Sequence, residues 1–178
     1  MSPQDIVVLL KITTYGNASW FQEQLAEALH ISQSEISKSL VRSKFAGLID
    51  TSGKKVFKMA LLEFLQYGIR YVFPEQPGAL VRGIPTAHSA LPLSDIIVSE
   101  EHYVWPSGKG KMRGQAITPL YPSVVDAVQN DESLHELLAL VDALRVGRAR
   151  EKEIAIKELK DRILREDSKS DKEWRWLL

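Results

Sequence analysis

Cysteine is absent from this 178-residue chain. That absence removes disulfide frameworks, thiol nucleophiles and cysteine-ligated zinc or iron–sulfur centres in one step. Histidine is scarce: the chain holds four, His30, His88, His102 and His135, and no two stand three or four apart, so no helical pair offers metal ligands. The sequence therefore predicts neither metal nor cofactor. Long apolar runs are missing too. No stretch approaches the roughly 18 residues of a membrane span, and Met1-Ser2-Pro3-Gln4-Asp5 lacks the basic segment and apolar stretch of a signal peptide. The expectation is a cytoplasmic protein with no membrane contact. Net charge is lacking as well, at +0, which counts against wholesale polyanion binding. Finally, there is no glycine-rich phosphate loop, no G-x-S-x-G elbow and no paired acid–histidine spacing. Catalysis is not expected.

What is present is ordinary soluble usage, 44% hydrophobic and 26% charged, enough apolar material to fold. The chain divides into three zones. Residues 1–72 are helical in pattern. Residues 73–132 hold seven of the eight prolines and five glycines, which excludes long helices there. Residues 133–178 return to helical periodicity. The fold expected is mainly α, with a proline-rich irregular middle containing a possible β-hairpin and with C-terminal helices.

Within the first zone, Pro3 to about Thr13 reads as a helix with Ile6, Val7, Leu9 and Leu10 inward. Ser19 with Gln22 predicts a capping box for a second helix ending at Leu29, whose inward face is Leu25, Ala26 and Leu29. His30-Ile31 form the turn. Ser32 with Glu35 predicts another capping box, for a third helix from Gln33 to about Ala46. In that helix Ile36, Ser39, Leu40 and Ser43 share one face. Gln33, Ser34, Ser37, Lys38, Val41 and Arg42 share the opposite one. Gln and Arg carry bidentate donors for base edges, Ser bonds adaptably, and Lys or Arg reaches phosphate. The charge is local as well: residues 1–73 carry eight Lys and Arg against six Asp and Glu, and six of those eight cations fall between Lys38 and Lys58. The plainer alternative is a small helical cap with a polar solvent face. Asp50 to Phe57, two short apolar ends around Ser52-Gly53, fits a truncated β-wing that would set Lys54, Lys55 and Lys58 beside a phosphate backbone.

The segment Leu25-Ala26-Glu27-Ala28-Leu29-His30-Ile31-Ser32, continued by Ser34-Glu35-Ile36-Ser37, Ser39-Leu40, Arg42 and Gly47-Leu48-Ile49, resembles the helix-turn-helix of bacterial winged-helix regulators, including the MarR-like group. His30 departs from the glycine many of them carry in the turn, though histidine tolerates positive φ better than most residues. The resemblance covers about thirty residues of the first zone. It implies a winged helix-turn-helix that binds double-stranded DNA as a transcriptional regulator, expected here as a homodimeric repressor. The DNA-contacting residues expected are Gln33, Ser34, Ser37, Lys38, Arg42, Lys54, Lys55 and Lys58.

The remaining zones are less specific. Lys58 to about Tyr71 is unusually apolar and aromatic, must be buried on more than one side, and is expected to pack on the middle zone or on a second subunit. Tyr103 to Trp105 and Met112 to Ile117 could pair as a hairpin around Ser107-Gly108-Lys109-Gly110. A sensing or catalytic reading would single out Arg82, Thr86, His88, Asp95 and His102, without a supporting motif. Lys109, Lys111 and Arg113 are either a second phosphate contact or a solvated hairpin tip. Leu134, Leu137, Leu138, Val141 and Leu144, continued beyond Gly147 by Ile156, Leu159 and Ile163, suit a dimerising stripe opposite the salt-paired Glu153–Lys157, Glu158–Arg162 and Asp161–Arg165. The partner-binding residues expected are Leu137, Val141 and Leu144, with Trp174 and Trp176 as an anchor at the tail. The alternative function is a protein-interaction module, such as an antitoxin that binds a partner protein and represses its own operon.

Overall fold

The computed structural model describes the backbone of residues 1–173 and the side chains of residues 1–165. Trp174 and Trp176, the expected tail anchor, lie outside the described residues. The first element is α1 (Pro3–Tyr15), whose Ser2 cap donates its amide to Asp5 at 2.7 Å and whose first turn accepts the proline ring. Ile6 to Leu10 are all fully buried, so this helix is apolar all round at its centre and must be covered on every side. Three helices cover it. α2 (Gln22–Leu29) and α3 (Gln33–Phe45) cross it from one side, and α7 (Glu132–Val146) packs along the other.

α2 starts later than Ser19 and Gln22 predict. Phe21 occupies the cap, and it is the Gln24 side chain that accepts the Phe21 amide at 3.1 Å. Trp20, just ahead of that cap, is buried and stacks on Tyr15. His30 then takes left-handed φ and ψ of 54° and 40°, the conformation the turn demands. Ser32 caps α3 by accepting the Glu35 amide at 3.2 Å.

α4 (Lys58–Tyr67) and the single turn α5 (Ile69–Val72) are what the long apolar segment becomes, interrupted at Gly68. Their buried Leu61, Leu62, Leu65 and Ile69 face α7 and α8 (Ala149–Glu173) of the same chain. The C-terminal helices of the same chain thus cover the buried face of this helix.

The middle zone builds a small barrel of three strands, β1 (Leu80–Pro85), β2 (Tyr103–Pro106) and β3 (Met112–Ala116). The expected hairpin of β2 with β3 is not formed. Both pair antiparallel with β1, at Ile84↔Trp105 and Arg82↔Arg113, so they run parallel to each other where Val104 meets Ala116. Closure at this radius needs glycine. A Cβ on Gly110 would lie 2.0 Å from the Gly83 carbonyl carbon, and one on Gly83 would lie 2.1 Å from the Trp105 carbonyl oxygen. α6 (Val124–Ala127) follows and leads into α7.

α7 is buried around its circumference from Leu137 to Arg145. Leu137, Val141 and Leu144, expected at a dimer interface, are 4%, 0% and 5% exposed inside the chain's own core. The stripe is real, but it is consumed by α1, α5 and α8, because Gly147 ends α7 and lets α8 fold back on it. On α8 the inward residues are Ala155, Leu159 and Ile163. Of the expected surface pairs, Glu158 and Arg162 do meet, and Arg162 also donates to Glu136 of α7 at 2.9 Å. One apolar cluster runs from Ile6 through Trp105 to Ile163, so the three zones of the sequence share a core.

The core carries buried ionic groups, Asp142 among them. Asp142 is 1% exposed and accepts from Thr86 Oγ1 and Trp105 Nε1 at 2.7 Å each and from Arg145 Nη1 at 2.8 Å. Arg145 also donates to the Phe73 carbonyl at 2.9 Å. These bonds tie strand β2, the loop after β1 and the segment before it to α7. Burial pushes the Asp142 carboxyl up, against the pull of Arg145 and its other donors.

Candidate nucleic-acid interface

The third helix divides as its sequence predicts. Ile36, Ser39, Leu40 and Ser43 are buried, while Gln33, Ser34, Ser37, Lys38 and Val41 are exposed. Position 42 departs from that division. Arg42 bends back to α1, where its Nε and Nη2 donate to Asp5 Oδ2 and Oδ1 at 3.0 and 2.8 Å. Ser39 Oγ donates to the same Oδ1 at 2.7 Å. With the Ser2 amide on Oδ2, the fully buried Asp5 carboxylate is completely satisfied. Its bonds to the Arg42 guanidinium hold that group above its usual pKa. Arg42 therefore sets the angle of α3 on α1 and does not present its charge outward.

Glu35 is the one acid within α3, and its carboxylate is taken by Lys38 at 2.9 Å. Gln33, Ser34 and Ser37 occupy the N-terminal two turns. Val41 and Phe45 follow, 64% and 97% exposed, with Lys44 beside them. An apolar side chain on a groove-reading helix can meet a thymine methyl.

Where a β-wing is expected, the chain forms one isolated bridge, Ile49 with Val56, closed by the loop 50–55. Asp50 organises it by accepting the amides of Lys54 and Lys55 at 2.9 and 3.0 Å and the hydroxyl of Ser52 at 2.7 Å. These donors hold the Asp50 carboxyl below its usual range. Gly53 sits at a φ of +72°, and a Cβ there would fall 2.8 Å from Cε of Lys44, so the Lys44 stem lies over the wing turn. The three predicted wing lysines differ. Lys55 is exposed. Lys54 is folded onto Trp20, donating to its carbonyl at 2.9 Å with the ammonium 4.2 Å from the ring centroid. Lys58 is half-buried as the first residue of α4.

The structure thus brings Gln33, Ser34, Ser37 and Lys38 onto one open face with Lys55 exposed on the neighbouring turn, folds Arg42 back onto Asp5, and ties Lys54, itself exposed, to Trp20. Two residues that matter were not read from the sequence. Lys44 joins α3 to the wing, and its signal was membership of the same cation run. Asp5 anchors the helix, and its signal was a lone acid at the start of an apolar stripe. Between the wing, the loop after α1, the start of α4 and Leu164 of α8 lies an open groove of about 960 Å³, with Phe21, Phe57 and Met59 exposed around it. Among the described residues no group of three metal-ligating side chains comes together, and no helix is long and apolar enough to cross a membrane. Compared with family models, with curated proteins and with solved structures, the chain matches none.

Proposed function

We propose that the chain is a sequence-specific DNA-binding transcriptional regulator of the winged helix-turn-helix kind, acting as a homodimeric repressor. One observation carries the reading: a capped helix, fixed to the core on one side by Asp5, Ser39 and Arg42, turns an open, acid-poor face of Gln33, Ser34, Ser37, Lys38 and Val41 to solvent. These are side chains that read a major groove, and the N-terminal half of the helix is the end that enters it. The local arrangement also answers the zero net charge, since the cations that matter are concentrated on α3 and the wing. With Leu137, Val141 and Leu144 committed to the core, two-fold pairing needs another surface. Tyr67, Tyr71 and Val72, all more than half exposed on α4 and α5, supply an apolar one.

Selection of binding sites from random duplexes tests the reading. A regulator of this kind enriches two related half-sites, about 10 base pairs or a multiple of that apart; recovery of unenriched sequence speaks against it. The second reading, a protein-interaction module, is favoured by the groove with Phe21, Phe57 and Met59 at its margin. A stoichiometric protein partner lost on Phe57→Ser, together with no enriched duplex, would put it first.

A further inference from the structure

The small barrel carries a charge arrangement that its own fold does not explain. Arg82 of β1 and Arg113 of β3 are direct cross-strand partners, and both are exposed. Partners across an antiparallel pair point to the same face, with Cβ atoms about 5 Å apart, and like charges there are destabilising. Lys111, one residue ahead of β3, is exposed beside them. None of the three side chains has an ion pair or hydrogen bond among the described residues. Elsewhere many cations are matched: Lys11 with Asp131, Arg42 with Asp5, Lys109 with Asp126, Arg145 with Asp142, Arg162 with Glu136. In a chain of zero net charge, three adjacent unmatched cations call for an anion from outside.

Their position says which anion. Lys109, two residues before Lys111, is held at 2.7 Å by Asp126 of α6. Ser123, which caps α6, donates to the Leu29 carbonyl at the end of α2 at 2.7 Å. The loop leading to β3 is thereby fastened beside the turn that opens α3. Lys54 of the wing lies at the other end of α2, over Trp20 and Phe21. Basic groups of the barrel and of the wing thus lie toward opposite ends of α2. We propose that Arg82, Lys111 and Arg113 form a second phosphate-binding surface that grips the duplex on the side of the turn, opposite the wing. This rests on the DNA-binding reading above and extends its footprint to the barrel.

The test is a salt titration of the full chain on its selected duplex and on a scrambled one. Each phosphate contact contributes about 0.9 to the slope of log K against log salt. R82Q/K111Q/R113Q lowers that slope by about 2–3 and weakens both duplexes equally; R113Q alone lowers it by about one. The matched control R150Q/K157Q/K160Q removes the same charge from exposed positions of α8 and leaves the slope unchanged. If the barrel variant keeps the wild-type slope while the wild type binds the duplex, the second surface is refuted and the DNA-binding reading stands. A slope lowered as much by the α8 control shows a net-charge effect and also refutes it. If the wild type binds no duplex at low salt, both fall together.

Discussion

Asp5→Ala is the substitution whose consequence the structure fixes most tightly. The carboxylate is fully buried and accepts four bonds, from the Ser2 amide, Ser39 Oγ and two nitrogens of Arg42. Its removal leaves a guanidinium and a hydroxyl at the α1–α3 contact with nothing to receive them. Breaking a buried pair by deleting one partner costs about 3–5 kcal/mol. The Arg42 side chain is 33% exposed, so water recovers part of its solvation and the low end applies, about 3 kcal/mol. For a chain of this size that lowers Tm by about 6–12 °C. Thermal unfolding followed by circular dichroism measures it, and a double-mutant cycle with Arg42→Ala isolates the pair, with a coupling energy in the range of about 1–3 kcal/mol. The same loosening of α3 should weaken any duplex binding beyond what lost stability alone explains. A loss under about 1 kcal/mol for Asp5→Ala, with no coupling to Arg42, would refute the claim that this staple sets the helix.

Other perturbations follow from the same geometry. Leu137→Ala opens a cavity in the core and costs about 2–5 kcal/mol, while the sedimentation coefficient of the folded fraction shows no change of oligomeric state; dissociation of a dimer with stability intact would return this residue to an interface. Because Asp50 is held below its usual pKa in the folded wing, it contributes stability that is present above the ordinary carboxylate range and is lost as pH falls through its lowered value. Amide exchange at Lys54 and Lys55 should therefore rise only in strong acid, and Asp50→Asn should raise it at neutral pH. Lys55→Gln should lower the salt slope of duplex binding by about one unit, whereas Lys54→Gln, whose ammonium is held by Trp20, should lower it less and loosen the wing instead. Gly83→Ala should disrupt the barrel, since the new Cβ meets the Trp105 carbonyl at 2.1 Å; an unchanged Tm would contradict the crossing described.

The pair of helices α2 and α3 with the turn between them was legible because its signals are local. Ser32 needs only Glu35 three residues on, His30 needs only its own φ, and the buried set of Ile36, Ser39, Leu40 and Ser43 follows from helical period. Arg42 was misread for the opposite reason. Its partner stands 37 residues earlier, and a period places a side chain on a face without saying what waits there. The stripe of Leu137, Val141 and Leu144 failed in the same way, since an apolar face has to be covered but does not say by which chain. In the middle zone β1 escaped notice because Gly83 and Pro85 weaken its pattern, and without it the two later runs looked like each other's partners. Asp142 gave no signal at all: Thr86 lies 56 residues away and Trp105 37.

The central claim is that α3 reads base edges, and Gln33 at its N-terminal end is the residue to measure. Titration of wild type and Gln33→Ala on the selected duplex and on a scrambled one, at several salt concentrations, compares readout with clamping. The account predicts a loss of about 1–3 kcal/mol on the selected duplex, relaxed discrimination at one base pair and an unchanged salt slope. Equal losses on both duplexes, or no duplex binding by the wild type at low salt, would contradict it.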